Sequence, residues 1–149
     1  MRRSEPVSIL FVDDEPEQAR TYAAGLELRG IEARIAAGVK EAREEFGRNP
    51  FPYQLVVLDL WMPGAQDLQP DRNIQGFQTG ALLFQEFRGK FRRQEPVIIL
   101  SSVMEKLDAK LLQGAERVEL YDKGETRPSD LARIIFRMLE PHPASPQAS

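Results

Sequence analysis

The run Gln54-Leu55-Val56-Val57-Leu58-Asp59-Leu60-Trp61-Met62-Pro63 is the stretch on which the fold turns. Leu55 to Leu58 are consecutive apolar residues, two of them β-branched, and a short unbroken run of that kind reads as a strand buried on both faces, usually in a parallel sheet. Asp59 ends it. A carboxylate at the mouth of a buried strand is costly to desolvate unless a cation or hydrogen-bond donors meet it. The reading therefore works outward from Asp59 toward three kinds of partner: other acids that could share a metal, a cationic side chain and a hydroxyl.

The chain has 149 residues, a formal net charge of -3 and no cysteine. That length suits one domain with a real core. The charge gives no broad basic surface, so no nucleic acid partner is expected. Without cysteine there is no disulfide framework, thiolate nucleophile or Cys-based zinc site, which fits a reducing compartment. The apolar run Val7 to Val12 is too short for a signal core or a membrane span, and the expected location is cytoplasmic.

Val7-Ser8-Ile9-Leu10-Phe11-Val12 is a second buried-strand pattern, and it stops at Asp13-Asp14-Glu15-Pro16. Asp14 is a candidate N-cap, with Pro16 in the first turn of a helix that runs to about Arg29 and stops at Gly30. Ile31, Ala33 and Ile35 alternate as a short strand, and a second helix spans roughly Val39 to Phe46. After Pro63 the residues from 64 to 75 lack any period and read as a long polar loop. Helical character resumes from about Phe77 to Phe91. Pro96 to Leu100 is the fourth strand, ending at Ser101-Ser102. Glu105 to Gln113 reads as a short helix, Arg117 to Tyr121 as a fifth strand ending at Asp122-Lys123. In the last helix, from near Pro128, Leu131, Ile134, Ile135, Met138 and Leu139 recur at the helical core period. The domain is read as residues 1–140, with a disordered Pro-containing tail over 141–149.

Five strands alternating with helices make a parallel sheet covered on both sides, and ligands of such sheets bind beyond the carboxyl ends of the strands. Asp13 and Asp14 follow strand one, Asp59 strand three, Ser101 strand four and Lys123 strand five. Every candidate partner of Asp59 is thus expected at one edge.

An acid pair after strand one, an aspartate followed by Met-Pro after strand three, a serine after strand four and a lysine after strand five resemble a response-regulator receiver domain. The match runs from about Val7 to Leu139. The resemblance implies a flavodoxin-like (βα)5 fold with a parallel five-stranded sheet in the order 2-1-3-4-5. It implies Asp59 as phosphoryl acceptor, Asp14 and Asp59 as direct Mg²⁺ ligands with the backbone carbonyl of Trp61, Asp13 as a ligand through water, Ser101 bonded to the phosphoryl group and Lys123 paired with it. The partners it implies are a sensor histidine kinase or histidine phosphotransfer protein as donor, and a downstream protein reached by contact.

Elementary chemistry points the same way. Three carboxylates in one pocket repel one another, and a hard divalent cation with oxygen ligands relieves this, Mg²⁺ being common where phosphate takes part. A transferring phosphoryl group asks mainly for positioning and charge neutralisation. Three features depart from the family pattern: the long interval between Pro63 and Gly76, Gly124 after Lys123 where the family carries proline in a cis peptide, and Leu120 at the position of the switch aromatic with Tyr121 beside it. Trp61, the polar loop and Val103 together lead to an expectation of slow autodephosphorylation. Two other functions compete: an unphosphorylated interaction module using the inserted loop, and a metal-dependent phosphohydrolase. The latter needs a second acid two residues after the nucleophile, and Trp61 stands there.

Overall fold

The computed structural model describes residues 6–59, 79–101 and 115–140. The expected loop over 64–75, the expected helix Glu105 to Gln113, Trp61, Val103 and the tail lie outside these residues. Five strands, β1 (Val7–Val12), β2 (Ile31–Ala36), β3 (Leu55–Asp59), β4 (Val97–Ser101) and β5 (Val118–Asp122), form one sheet in the order β2-β1-β3-β4-β5, and all four pairings are parallel. Helices α1 (Pro16–Glu27), α2 (Val39–Phe46), α3 (Thr79–Arg88) and α4 (Pro128–Leu139) cover it.

Alternation along the strands decides which helix each side chain meets. Leu10, Val12, Val56, Leu58, Val97 and Ile99 pack with Ala42 and Phe46 of α2 and with Leu83 and Phe87 of α3. Ile9, Phe11, Leu55, Val57, Ile98 and Leu100 pack on the other face with Ala19 and Leu26 of α1 and Leu131 and Ile135 of α4. The central strands are apolar without a break over Ile9–Val12, Leu55–Leu58 and Val97–Leu100 because both of their faces are covered. On the edge strand β5 every residue is only partly buried, which accounts for its weaker apolar signature.

Several boundaries differ from the sequence reading. Helix α1 ends at Glu27, and Gly30 adopts the left-handed φ of 85° that favours glycine. Its N-cap residue is Glu15, not Asp14, and no side chain caps it. Helix α3 ends at Arg88 rather than Phe91. Its end is turned aside by Phe91 N–H donating to the Glu86 carbonyl, and the Arg88 guanidinium donates to the carbonyls of Arg93, Glu95, Glu116 and Arg117. Phe91 instead lies edge-on to Phe46, with ring centroids 5.6 Å apart.

Helices α1 and α4 approach closely at Gly25. A Cβ built there would fall 2.4 Å from Pro128 Cβ, a distance that cannot be tolerated without movement of the helices. We expect Gly25→Ala to destabilise the fold by about 1–2 kcal/mol, the overpacking cost exceeding the gain in helix propensity. A chemical denaturation midpoint equal to or above that of the parent would contradict this packing.

Candidate functional site: an acidic pocket closed by one lysine

The site forms because parallel strands end in register. Asp59 pairs with Leu100 across β3 and β4, and Ser101 pairs with Asp122 across β4 and β5, so the residue after each strand emerges on one edge. Asp13 continues from β1 by donating its N–H to the Ala36 carbonyl at the end of β2. One carboxylate oxygen from each of Asp13, Asp14 and Asp59 lies within 4.8 Å of the others. Asp13 is fully buried and Asp59 is 3% exposed, while Asp14 is half-buried.

Lys123 answers the question posed by Asp59. Its Nζ lies 3.2 Å from Asp59 Oδ2 and 2.9 Å from Asp13 Oδ2, and only 9% of its side chain is exposed. Asp13 Oδ1 accepts from the Glu15 N–H at 2.9 Å, so both oxygens of Asp13 are engaged. Burial works against the Lys123 charge, but the carboxylates of Asp59 and Asp13 outweigh it, and the ammonium is held above the ordinary lysine range. The Asp14 carboxyl is raised, first by burial and then by the charge of Asp13. With three acids and one lysine the pocket carries an excess of acidic groups. Hard oxygen donors of that number and spacing suit a small divalent cation such as Mg²⁺.

The expected residues are therefore brought together at Asp13, Asp14, Asp59 and Lys123. Ser101 is fully buried at the end of β4, the same sheet edge. Trp61 falls outside the described residues. Among the described residues the only cis peptide is Asn49–Pro50, so the Lys123–Gly124 bond is trans. The loop here is a 3₁₀ turn, Lys123–Glu125, in which Gly124 N–H donates to Asp122 Oδ1 at 2.9 Å.

Tyr121 does not take the place of an aromatic at position 120. It packs with the α1 and α4 face of the sheet, whereas Leu120 packs with the α2 and α3 face. Its hydroxyl donates to Glu119 and accepts from Arg137. Sequence reasoning also passed over Tyr22, a buried residue of α1. Its hydroxyl donates to the carbonyls of Thr126 at 2.6 Å and Lys123 at 3.1 Å. The one available signal was that a buried tyrosine hydroxyl needs a partner.

Neither a protein-family model nor a curated protein sequence matches the chain. Solved structures do. The receiver domain from the hybrid histidine kinase CckA is 26% identical, with 89% of this chain and 99% of that one covered at a TM-score of 0.66. A CheY-like receiver domain protein from Methanospirillum hungatei JF-1 is 21% identical, with 91% and 94% covered and a TM-score of 0.70. The response regulator TrrA from Thermotoga maritima, solved in complex with Mg(2+)-BeF, is 24% identical, with 89% and 99% covered and a TM-score of 0.63. The five-stranded parallel sheet in the order β2-β1-β3-β4-β5 is the fold of these CheY-like receiver domains, to which the chain is similar over about nine-tenths of its length. No described helix is long and apolar enough to cross a membrane.

Proposed function

We propose that the chain is a phosphorylatable signalling switch of a two-component system or phosphorelay, in which Asp59 accepts a phosphoryl group in a Mg²⁺-dependent reaction. The observation that carries this reading is the buried Asp59 carboxylate, 3.2 Å from Lys123 and clustered with Asp13 and Asp14. The TrrA complex, in which Mg²⁺ and a beryllofluoride group are bound to a protein of the same fold, supports it.

Each residue has a distinct task. Asp59 attacks the phosphorus as a carboxylate nucleophile to give an acyl phosphate, and the donor's nitrogen leaves. Lys123 neutralises charge on the phosphoryl oxygens, and the Ser101 hydroxyl donates a hydrogen bond to one of them. Asp14 and Asp59 would hold a Mg²⁺ directly, joined on the family pattern by the Trp61 carbonyl, and Asp13 would hold it through water. When bound, the cation draws charge from the transferring group. The donor is a phosphohistidine on a sensor kinase or phosphotransfer protein, the location is cytoplasmic, and the message passes to a downstream protein by contact.

Incubation with a small phosphodonor and Mg²⁺, followed by intact mass measurement, tests this. One stable phosphate is expected. No adduct would favour an interaction module, and turnover to inorganic phosphate a hydrolase.

Asp14 adds a prediction of its own. Because the fold raises its pKa, burial and the Asp13 charge make Asp14 detract from stability as pH rises above the ordinary carboxylate range. Asp14→Ala should therefore be more stable than the parent in the absence of Mg²⁺, while losing Mg²⁺ affinity by at least about a hundredfold. Titration calorimetry and chemical denaturation read the two effects. A variant that binds Mg²⁺ as the parent does would remove Asp14 from the metal site.

A further inference from the structure

The turn that carries Lys123 is braced from three sides. Asp122 Oδ1 accepts from the Gly124 N–H, and the Thr126 hydroxyl donates to the Asp122 carbonyl at 2.8 Å. The third brace comes from another element. Tyr22, more than one hundred positions away on α1, reaches across the α1 and α4 contact to the turn, its single proton shared between the carbonyls of Thr126 and Lys123. That reach depends on the close approach of Gly25 to Pro128, one turn further along α1. The Tyr22 ring rests on Phe11 of β1, with centroids 5.5 Å apart, so its position is set by the core immediately beneath Asp13.

We propose that Tyr22 is a positioning residue for Lys123, fixing the backbone from which the ammonium reaches Asp13 and Asp59. The Lys123 peptide is trans and is followed by glycine, so the turn has no ring to fix its path. The hydroxyl of Tyr22 supplies the constraint from outside the turn. The Tyr22 hydroxyl bonds to none of the three acids; it acts through Lys123. This inference rests on the phosphoryl-acceptor reading of the same pocket.

The consequence separates two kinds of binding. Mg²⁺ alone is held by acids whose placement comes from β1 and β3. A phosphoryl mimic also needs Lys123 held in place. Tyr22→Phe keeps the ring on Phe11 and removes only the hydroxyl. In this variant beryllofluoride with Mg²⁺ should bind at least about tenfold more weakly, loss of positioning being costly. Mg²⁺ alone should bind within a factor of about two of the parent, because the Tyr22 hydroxyl bonds to the Lys123 turn and to none of the three acids.

Titration calorimetry of the full chain with Mg²⁺ alone, then with beryllofluoride in saturating Mg²⁺, reads that split. Amide exchange in the metal-free protein gives an independent reading, since Gly124 and Thr126 should exchange faster in the variant while β1 and β3 do not. An unchanged beryllofluoride affinity in Tyr22→Phe, or equal losses for both ligands, would overturn the positioning role. Failure of the parent protein itself to bind beryllofluoride would overturn the phosphoryl-acceptor reading, and the role of Tyr22 with it.

Discussion

Asp59→Asn should take up no phosphate from a small phosphodonor in Mg²⁺, its rate falling by at least about a thousandfold, equivalent to ~4 kcal/mol of barrier. The amide is nearly isosteric, so the variant should fold, and it lacks the carboxylate that would become the acyl phosphate. The neighbouring acids are poor substitutes for different reasons. Asp13 has both oxygens committed, one to the Lys123 ammonium and one to the Glu15 N–H. Asp14 is not joined to Lys123 by an ion pair, although it feels that charge. A weakened metal site should persist, because Asp13 and Asp14 remain. Phosphate retained on the variant, with peptide mapping to Asp14, would move the acceptor to that residue and defeat the assignment.

Lys123→Ala should be the most damaging single change to the pocket when Mg²⁺ is withheld. It leaves two buried carboxylates without their shared cation, and breaking a buried pair by removing one partner costs about 3–5 kcal/mol. The denaturation midpoint in a chelating buffer should fall accordingly, and saturating Mg²⁺ should restore part of the loss because a cation that binds only the native state stabilises it by mass action. The dependence on pH follows from the raised pKa of the lysine. A cation whose folded pKa exceeds its unfolded value contributes stability that is present below the unfolded pKa, about 10.4. That contribution disappears as pH rises through the folded pKa. The gap between parent and variant should thus hold across neutral pH and narrow in the alkaline range. An unchanged midpoint in chelator would mean that solvent already pays the cost attributed to Lys123.

How much of this was legible beforehand depends on the range of the signal. The strands announced themselves because a strand covered on both faces must be apolar at every position, as in Leu55 to Leu58, and β5 was weaker because an edge strand is half-covered. Asp59 stood out for the same local reason, as an acid at the end of an apolar run. Its partners were legible because parallel strands share one carboxyl edge. Helix ends were less so. Asp14 reads as a cap in isolation, yet its carboxylate joins the acid cluster and Glu15 takes the N-cap position. Phe91 fits the helical period, yet the chain turns after Arg88, whose side chain donates to four carbonyls, two just beyond the helix and two at Glu116 and Arg117.

The sequence by itself determined the alternation of strands and helices, the common edge, and the identity of the acids and the lysine that meet there, since each follows from hydrophobic period and chain order. Only the tertiary structure decided that Lys123 bridges Asp13 as well as Asp59, that Tyr121 faces away from the position of Leu120, and that Tyr22 holds the Lys123 turn. Those contacts depend on the helix packing that brings Gly25 against Pro128 and on the side-chain directions within β5. Residues a hundred positions apart carry no local pattern that records how closely two helices approach.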